Sequence, residues 1–333
     1  MIAALDPFVG VAHMLSRPFM VDALLAGTLI ALAAGLVGHF LVMREQVFTG
    51  DALSHVAFTG ALGALAIGLD LRLGLFLGCV AVAVLIGLLG PAGRADDVVI
   101  GNVFAWLLGV GVFFLTLYTT SRRGANGTAG TTVLFGSIFG MTSSQAVVAS
   151  VVGGCIAVAA LAIGRPLTFM SIDPAVAAVR GVRVRPLGLG FLALVGAAAG
   201  EATQAVGALL LLGLLATPAG AARRLSASPW RAMWLSAGIA VGSVWAGLAA
   251  SYAAPTVPPS FAILAVATSA YVLASGWRSW SLRRGVRDRQ PSSASLTPNP
   301  TSTTPERRSI RRRARRLVIN RVTRSDARTI TAK

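Results

Sequence analysis

The chain has 333 residues, of which 55% are hydrophobic and only 12% charged, against about a quarter charged in ordinary soluble domains. With a mean hydropathy of +0.74, it falls outside the soluble globular class and reads as an all-α polytopic membrane protein. The formal charge of +17 sits mostly in the tail, where 15 Arg and Lys333 from Trp277 onward face only Asp288, Glu306 and Asp326; nucleic-acid binding by the body is not expected.

Residues 1–18 form a short lead with Asp6, His13 and Arg17, read as an interfacial segment rather than a cleaved signal peptide. A first span is predicted over 19–43, with Asp22 at its start and His39 near its end, followed by a polar turn at Arg44, Glu45 and Gln46. Further spans are predicted over 51–69, 73–89 and 98–118, separated by Asp70 with Arg72 and by a turn containing Pro91, Gly93, Arg94, Asp96 and Asp97. A Gly/Asn/Thr loop with Arg122 and Arg123 follows, and the stretch 134–140 is too short to span, so it is re-entrant or leads into the next helix. The fifth span is predicted over 146–163.

The segment 165–186 interrupts the apolar rhythm with Arg165, Arg180, Arg183 and Arg185. Inside it, Asp173 followed by Pro174 reads as an N-cap with proline at the first helical position, and Gly181 can end the helix in the left-handed conformation. The expectation is a capped helix of about two turns in a basic loop. Spans over 187–200, 205–222, 233–252 and 261–274 complete the body, with Glu201 and Gln204 after the sixth, a kink at Pro218 in the seventh, and Arg223 and Arg224 after it. The prediction is therefore eight or nine transmembrane helices in a membrane domain at 1–276. A basic, Ser/Thr/Pro-rich disordered tail at 277–333 lies on anionic lipid. The positive-inside rule puts the 165–186 loop, the Arg44 and Arg94 turns and the tail in the cytoplasm, with the N-terminus outside; Arg122 and Arg123 are the one conflict. Cys79 and Cys155 stand alone in apolar runs and read as small buried hydrophobes.

Chemistry is concentrated in Gly50-Asp51-Ala52-Leu53-Ser54-His55. A spacing of four puts Asp51 and His55 on one face of a helix, a turn apart, and a carboxylate with an imidazole makes a mixed oxygen/nitrogen half-site for a divalent transition metal. Charged groups inside spans mark ion or substrate paths. The bland alternative makes Asp51 the N-cap of the second span and His55 a satisfied interfacial histidine. His39 is a weaker third ligand, its alternative being simple solvation. Glu201 either lines the outer mouth or is an exposed loop acid. No Gly-x-x-x-x-Gly-Lys-Ser/Thr loop is present, so ATP is not bound in that manner by this chain.

Four ordered segments resemble the permease subunits of the zinc/manganese-type family of ABC importers: 50–55, 134–138, the 171–182 loop, and 206–210 leading through Thr217-Pro218-Ala219 to Arg223. The likeness covers roughly 18–274. It implies a dimeric membrane domain of two permease copies in a bacterial plasma membrane, a cytoplasmic ATP-binding subunit, an extracytoplasmic metal-binding lipoprotein, and no enzyme activity in this chain. It implies no permanently bound cofactor, only transported zinc or manganese, with a lean to zinc from the Irving–Williams order. It places metal contact at Asp51 and His55, and an ATPase-coupling helix at Asp173, Pro174, Ala175, Val176, Ala177, Ala178, Val179, Arg180 and Gly181. Phe58-Thr59-Gly60 departs from a common Leu-Pro-Gly, and the arginine-rich tail lies outside the family pattern. The alternatives are an ATP-independent secondary carrier, a siderophore or cobalamin permease, and a membrane metalloenzyme, the last disfavoured by three histidines in all and no His-Glu-x-x-His.

Overall fold

A computed structural model of the protein describes residue 14 and residues 16–90, 93–121 and 133–287. The chain divides into two units, Met1–Ser281 and Leu282–Lys333, and the fold is that of the first. Its helices are α1 (Pro18–Met43), α2 (Val47–Ile67), α3 (Leu71–Leu89), α4 (Asp97–Ser121), α5 (Ser143–Ile172), α6 (Pro174–Val179), α7 (Val184–Val206), α8 (Leu211–Leu225), α9 (Pro229–Ala253) and α10 (Pro259–Arg287). Eight of these, all but α6 and α8, are long and apolar enough to cross a membrane.

The bundle is built around α1, which packs on α5, α7, α8 and α9, while α2, α3, α4 and α7 form a second group beside it. The reason lies in residue size. Ala and Gly dominate the buried face of α1 from Ala23 to Gly38, and small residues let backbones approach closely where lipid offers no hydrophobic drive between helices. Ser236 Oγ on α9 donates to the Gly35 carbonyl at 2.7 Å, a contact that any side chain on Gly35 would block.

The basic turns gather at one end. Arg94 donates to the Arg44 carbonyl at 3.4 Å and Arg223 to the Val42 carbonyl at 2.9 Å. At the opposite end, Ser143 at the start of α5 donates to Asp22 at the start of α1, at 2.6 Å. Helix α7 runs from the basic end to the opposite one, and α8 brings the chain back to the level of Val42. Its 15 residues give only about 22 Å of helix, so the 3₁₀ turn Ala208–Leu210 supplies the rest. Among the described residues the chain thus traverses the bundle nine times, eight times by long helices and once by this broken segment.

The break is a meeting of two sequence motifs. Gly207 (φ 91°) and Gly136 (φ 73°) both adopt the left-handed region, and a Cβ on Gly136 would lie 2.6 Å from the Ala205 carbonyl oxygen and from the Gly207 nitrogen. Ser137 N–H donates to the Gln204 carbonyl at 3.3 Å. The short 134–140 stretch therefore docks on the interrupted helix, and only glycine permits that approach.

Several boundaries differ from the sequence reading. Helix α2 begins at Val47 with Gln46 in the N-cap position, so Asp51 lies in its second turn and is not the cap. Helix α5 runs through Arg165 and Pro166 to Ile172; its start is fixed by a capping box between Thr142 and Gln145. Helix α7 continues past Gly200 to Val206, and α10 runs past Trp277 to Arg287. The interruption near the seventh span lies at Gly207, before Pro218. Cys79 is buried, whereas Cys155 is exposed on α5, and both are free thiols. Arg122, Arg123 and residues 288–333, including the arginine run of the predicted tail, lie outside the described residues.

Candidate functional site

The α1–α2 turn aims the site. Glu45 takes a left-handed conformation (φ 59°), which reverses the chain within three residues, and the Gln46 carbonyl accepts the Thr49 N–H at 3.0 Å to open α2. Gly50 faces Leu41, Leu212 and Leu215, so the N-terminal turns of α2 lie close against α1 and α8. Ser54 is buried, and its hydroxyl turns back onto the Asp51 carbonyl at 2.6 Å. Asp51 and His55 then stand one turn apart on the half-buried face of α2.

That face looks toward α4. A cavity of about 430 Å³ is lined by Phe48, Asp51, Ala52, Asp97, Ile100 and Phe104. Among the described residues the Asp51 carboxylate has no hydrogen-bond or ion-pair partner. The His55 ring meets Phe104 edge to face, with centroids 5.0 Å apart and planes at 71°, which orients the imidazole beside the same cavity. Asp97, in the first turn of α4, adds a second carboxylate; the helix N-terminus favours its charge.

Asp97 was legible only as a turn residue. The signal that finds it is the i, i+3, i+4, i+7 spacing of Asp97, Ile100, Gly101 and Phe104 on one face of α4, but nothing in the sequence pairs that face with α2. What Asp51, Asp97 and His55 offer is two carboxylates lining a small space and an imidazole beside it, suited to loose, water-completed contact with a cation.

The other two candidate ligands lie elsewhere. His39 is in α1, 2% exposed, edge-on to Phe40 at 5.2 Å, and among the described residues its Nδ1 has no partner; the solvated alternative is thereby excluded. Glu201 is in α7, 4% exposed, with Oε1 unpartnered and Arg72 as its charged neighbour. It is neither in a loop nor exposed, because α7 extends to Val206. Neither residue lines the cavity of Asp51, and among the described residues no three His, Cys, Asp or Glu side chains come together closely enough to hold a metal ion.

At the basic end, Asp173 caps α6 by accepting the Ala175 and Val176 N–H groups at 3.0 Å each. Pro174 is the first helical residue, and Gly181 follows the helix with φ 85°. Ala177 is buried and anchors this six-residue helix, while Val179 is 89% exposed.

Comparison with known proteins gives a consistent answer. The chain is 27% identical over 239 residues to the manganese import system permease protein ScaB of Streptococcus parasanguinis, covering 70% of this chain and 82% of that protein. It is 27% identical over 215 residues to the manganese transport system membrane protein MntC of Halalkalibacterium halodurans, covering 64% and 72%. Its fold is similar to a chain of PsaBC from Streptococcus pneumoniae in complex with Fab, with a TM-score of 0.66, 24% identity, and coverage of 82% of this chain and 95% of that one. The sequence profile of the ABC 3 transport family matches residues 16–278. The chain therefore belongs to the ABC 3 transport family, as a multi-pass, non-catalytic permease subunit of the kind its motifs resemble.

Proposed function

We propose that this permease carries a divalent transition metal ion through a bacterial membrane, and that Asp51 and His55 are its transient ligands. The observation that supports this most is the Asp51 carboxylate, which among the described residues lacks a protein partner and borders a cavity with Asp97 while His55 stands one turn further along. Two protein ligands with water hold a cation loosely, and a permease must release what it holds. Asp97 lies on the basic-end side of the pair. It gives a departing cation a next carboxylate. His39 and Glu201 act at most at other points of the path, since they do not join this cavity.

The metal is manganese or zinc. Both accept Asp and His; zinc binds such a pair more tightly, while the names of the relatives given above favour manganese as the first ion to test. A cytoplasmic ATP-binding subunit supplies the energy, with α6 as the element it pushes. A capped short helix carrying an exposed valine at the basic end supports that role. A second copy of the chain packs along α4, where Trp106, Val112 and Phe113 are exposed on the helix that walls the cavity. The metal-binding lipoprotein rests on the family resemblance alone.

The energy source is tested in proteoliposomes holding the permease and its ATPase. Manganese uptake should require ATP and vanish with a hydrolysis-dead ATPase. Uptake driven by an ion gradient without nucleotide would replace this reading with a secondary carrier.

A further inference from the structure

The α1–α2 turn holds a positive charge that transport through Asp51 and His55 does not use. Arg44 is only 6% exposed. Its Nε donates to Gln46 Oε1 at 3.0 Å, and its guanidinium lies over the Phe191 ring, 5.2 Å from the centroid. Among the described residues it has no ion pair, and its terminal nitrogens have no acceptor. Burial, and then the Arg94 charge, lower its pKa to about 10, so it stays charged at neutral pH. A mostly buried charge with no ion pair favours an incoming anion.

Arg94 comes from the α3–α4 turn and donates to the Arg44 carbonyl. Together they line a cavity of about 440 Å³ with Met43, Glu45, Ser171 and Pro174. Glu45 is exposed and, among the described residues, makes no ion pair with either arginine. The lining joins the turn residues Arg44, Glu45 and Arg94 to helix termini at the basic end, and Pro174 is the first residue of α6.

We propose that this cavity receives a carboxylate side chain of the cytoplasmic ATPase subunit, gripped by Arg44 and Arg94 as a second anchor beside α6. The proposal rests on reading α6 as the ATPase contact. A guanidinium fork matches a carboxylate in two parallel hydrogen bonds. Arg44 is already fixed by Phe191 and Gln46, so little side-chain freedom remains to be lost on docking. Its place next to α6 puts the acid on the partner that α6 meets. A lipid phosphate carries the same charge, but the cavity is formed by turns and helix ends at the basic end, beside α6, and not by the flanks of the long helices.

The test titrates the ATPase subunit onto the permease in nanodiscs, once in phosphatidylcholine alone and once with added phosphatidylglycerol. R94E is the main variant because Arg94 is exposed and its removal leaves the core intact; R44K is the conservative companion. Val179→Asp on α6 tests the underlying reading separately. In both lipids, R94E should weaken ATPase binding by roughly 10–100-fold, R44K less, and raised salt should weaken the wild type more than R94E. If V179D weakens binding and R94E does not, the anchor is wrong and the α6 reading stands. If neither variant matters, both fail. If the R94E effect is confined to discs with phosphatidylglycerol, the ligand is a lipid phosphate and the proposal is overturned.

Discussion

Gly35→Ala should separate α1 from α9 without touching the cation path. A Cβ built on Gly35 lies 2.7 Å from Ala237 Cα and 2.9 Å from the Ser236 carbonyl oxygen. Ordinary carbon contacts need about 3.5–4.0 Å, so the helices must part by about 1 Å, and both obstructing groups are backbone. The same movement stretches the buried Ser236–Gly35 hydrogen bond from 2.7 Å past useful geometry. Overpacking costs about 1–3 kcal/mol, and an interhelical hydrogen bond in a membrane protein about 0.6 kcal/mol; the sum is about 2–4 kcal/mol. Gly238→Ala is the control, on the facing helix α9 with nothing within 4 Å of the added Cβ. The assay is thermal unfolding of the purified permease in detergent. G35A should lower the midpoint by several degrees, G238A should not lower it, and Ser236→Ala should lower it slightly. Because G35A already breaks the hydrogen bond, the double variant G35A/S236A should fall short of the sum. Equal midpoints for G35A and G238A would refute the packing argument.

Other outcomes follow from single contacts. Asp173→Ala removes an acceptor of two N–H groups and should destabilise α6 by about 1 kcal/mol, lowering permease-stimulated ATP hydrolysis; Asp173→Asn should retain most of it. Phe104→Ala removes the edge-to-face partner of His55, worth about 0.5–1.5 kcal/mol, and should raise the apparent KM for metal several-fold with the subunit complex intact. Asp97→Asn should slow uptake most at low metal concentration, measured as initial rate, while leaving the melting midpoint unchanged.

The eight long apolar helices were readable because apolar length alone carries that information. The α6 helix was readable too, because Asp173, Pro174 and Gly181 are local signals that act within a few residues. Boundaries that depend on tertiary packing were not. Nothing local extends α7 past Gly200; Glu201 and Gln204 stay helical because α7 lies against α3, where Gly200 meets Phe76. The break at Gly207 was hidden for the same reason, since it needs Gly136 from a segment seventy residues away. Pairing Asp51 with His55 required only helical periodicity, whereas Asp97 needed the packing of α2 on α4, which a single sequence does not encode in any local pattern.

Whether Asp51 and His55 touch the transported ion is read from manganese binding to the purified permease–ATPase complex. Binding is read with initial uptake in the same proteoliposomes, for wild type, Asp51→Ala, His55→Ala and the double variant, each checked for intact subunit association. The account predicts that each single variant loses most uptake and weakens binding at least tenfold, with the double variant little worse than the singles because the ligands act as a pair. Wild-type uptake by the double variant, in an assembled complex, would contradict it.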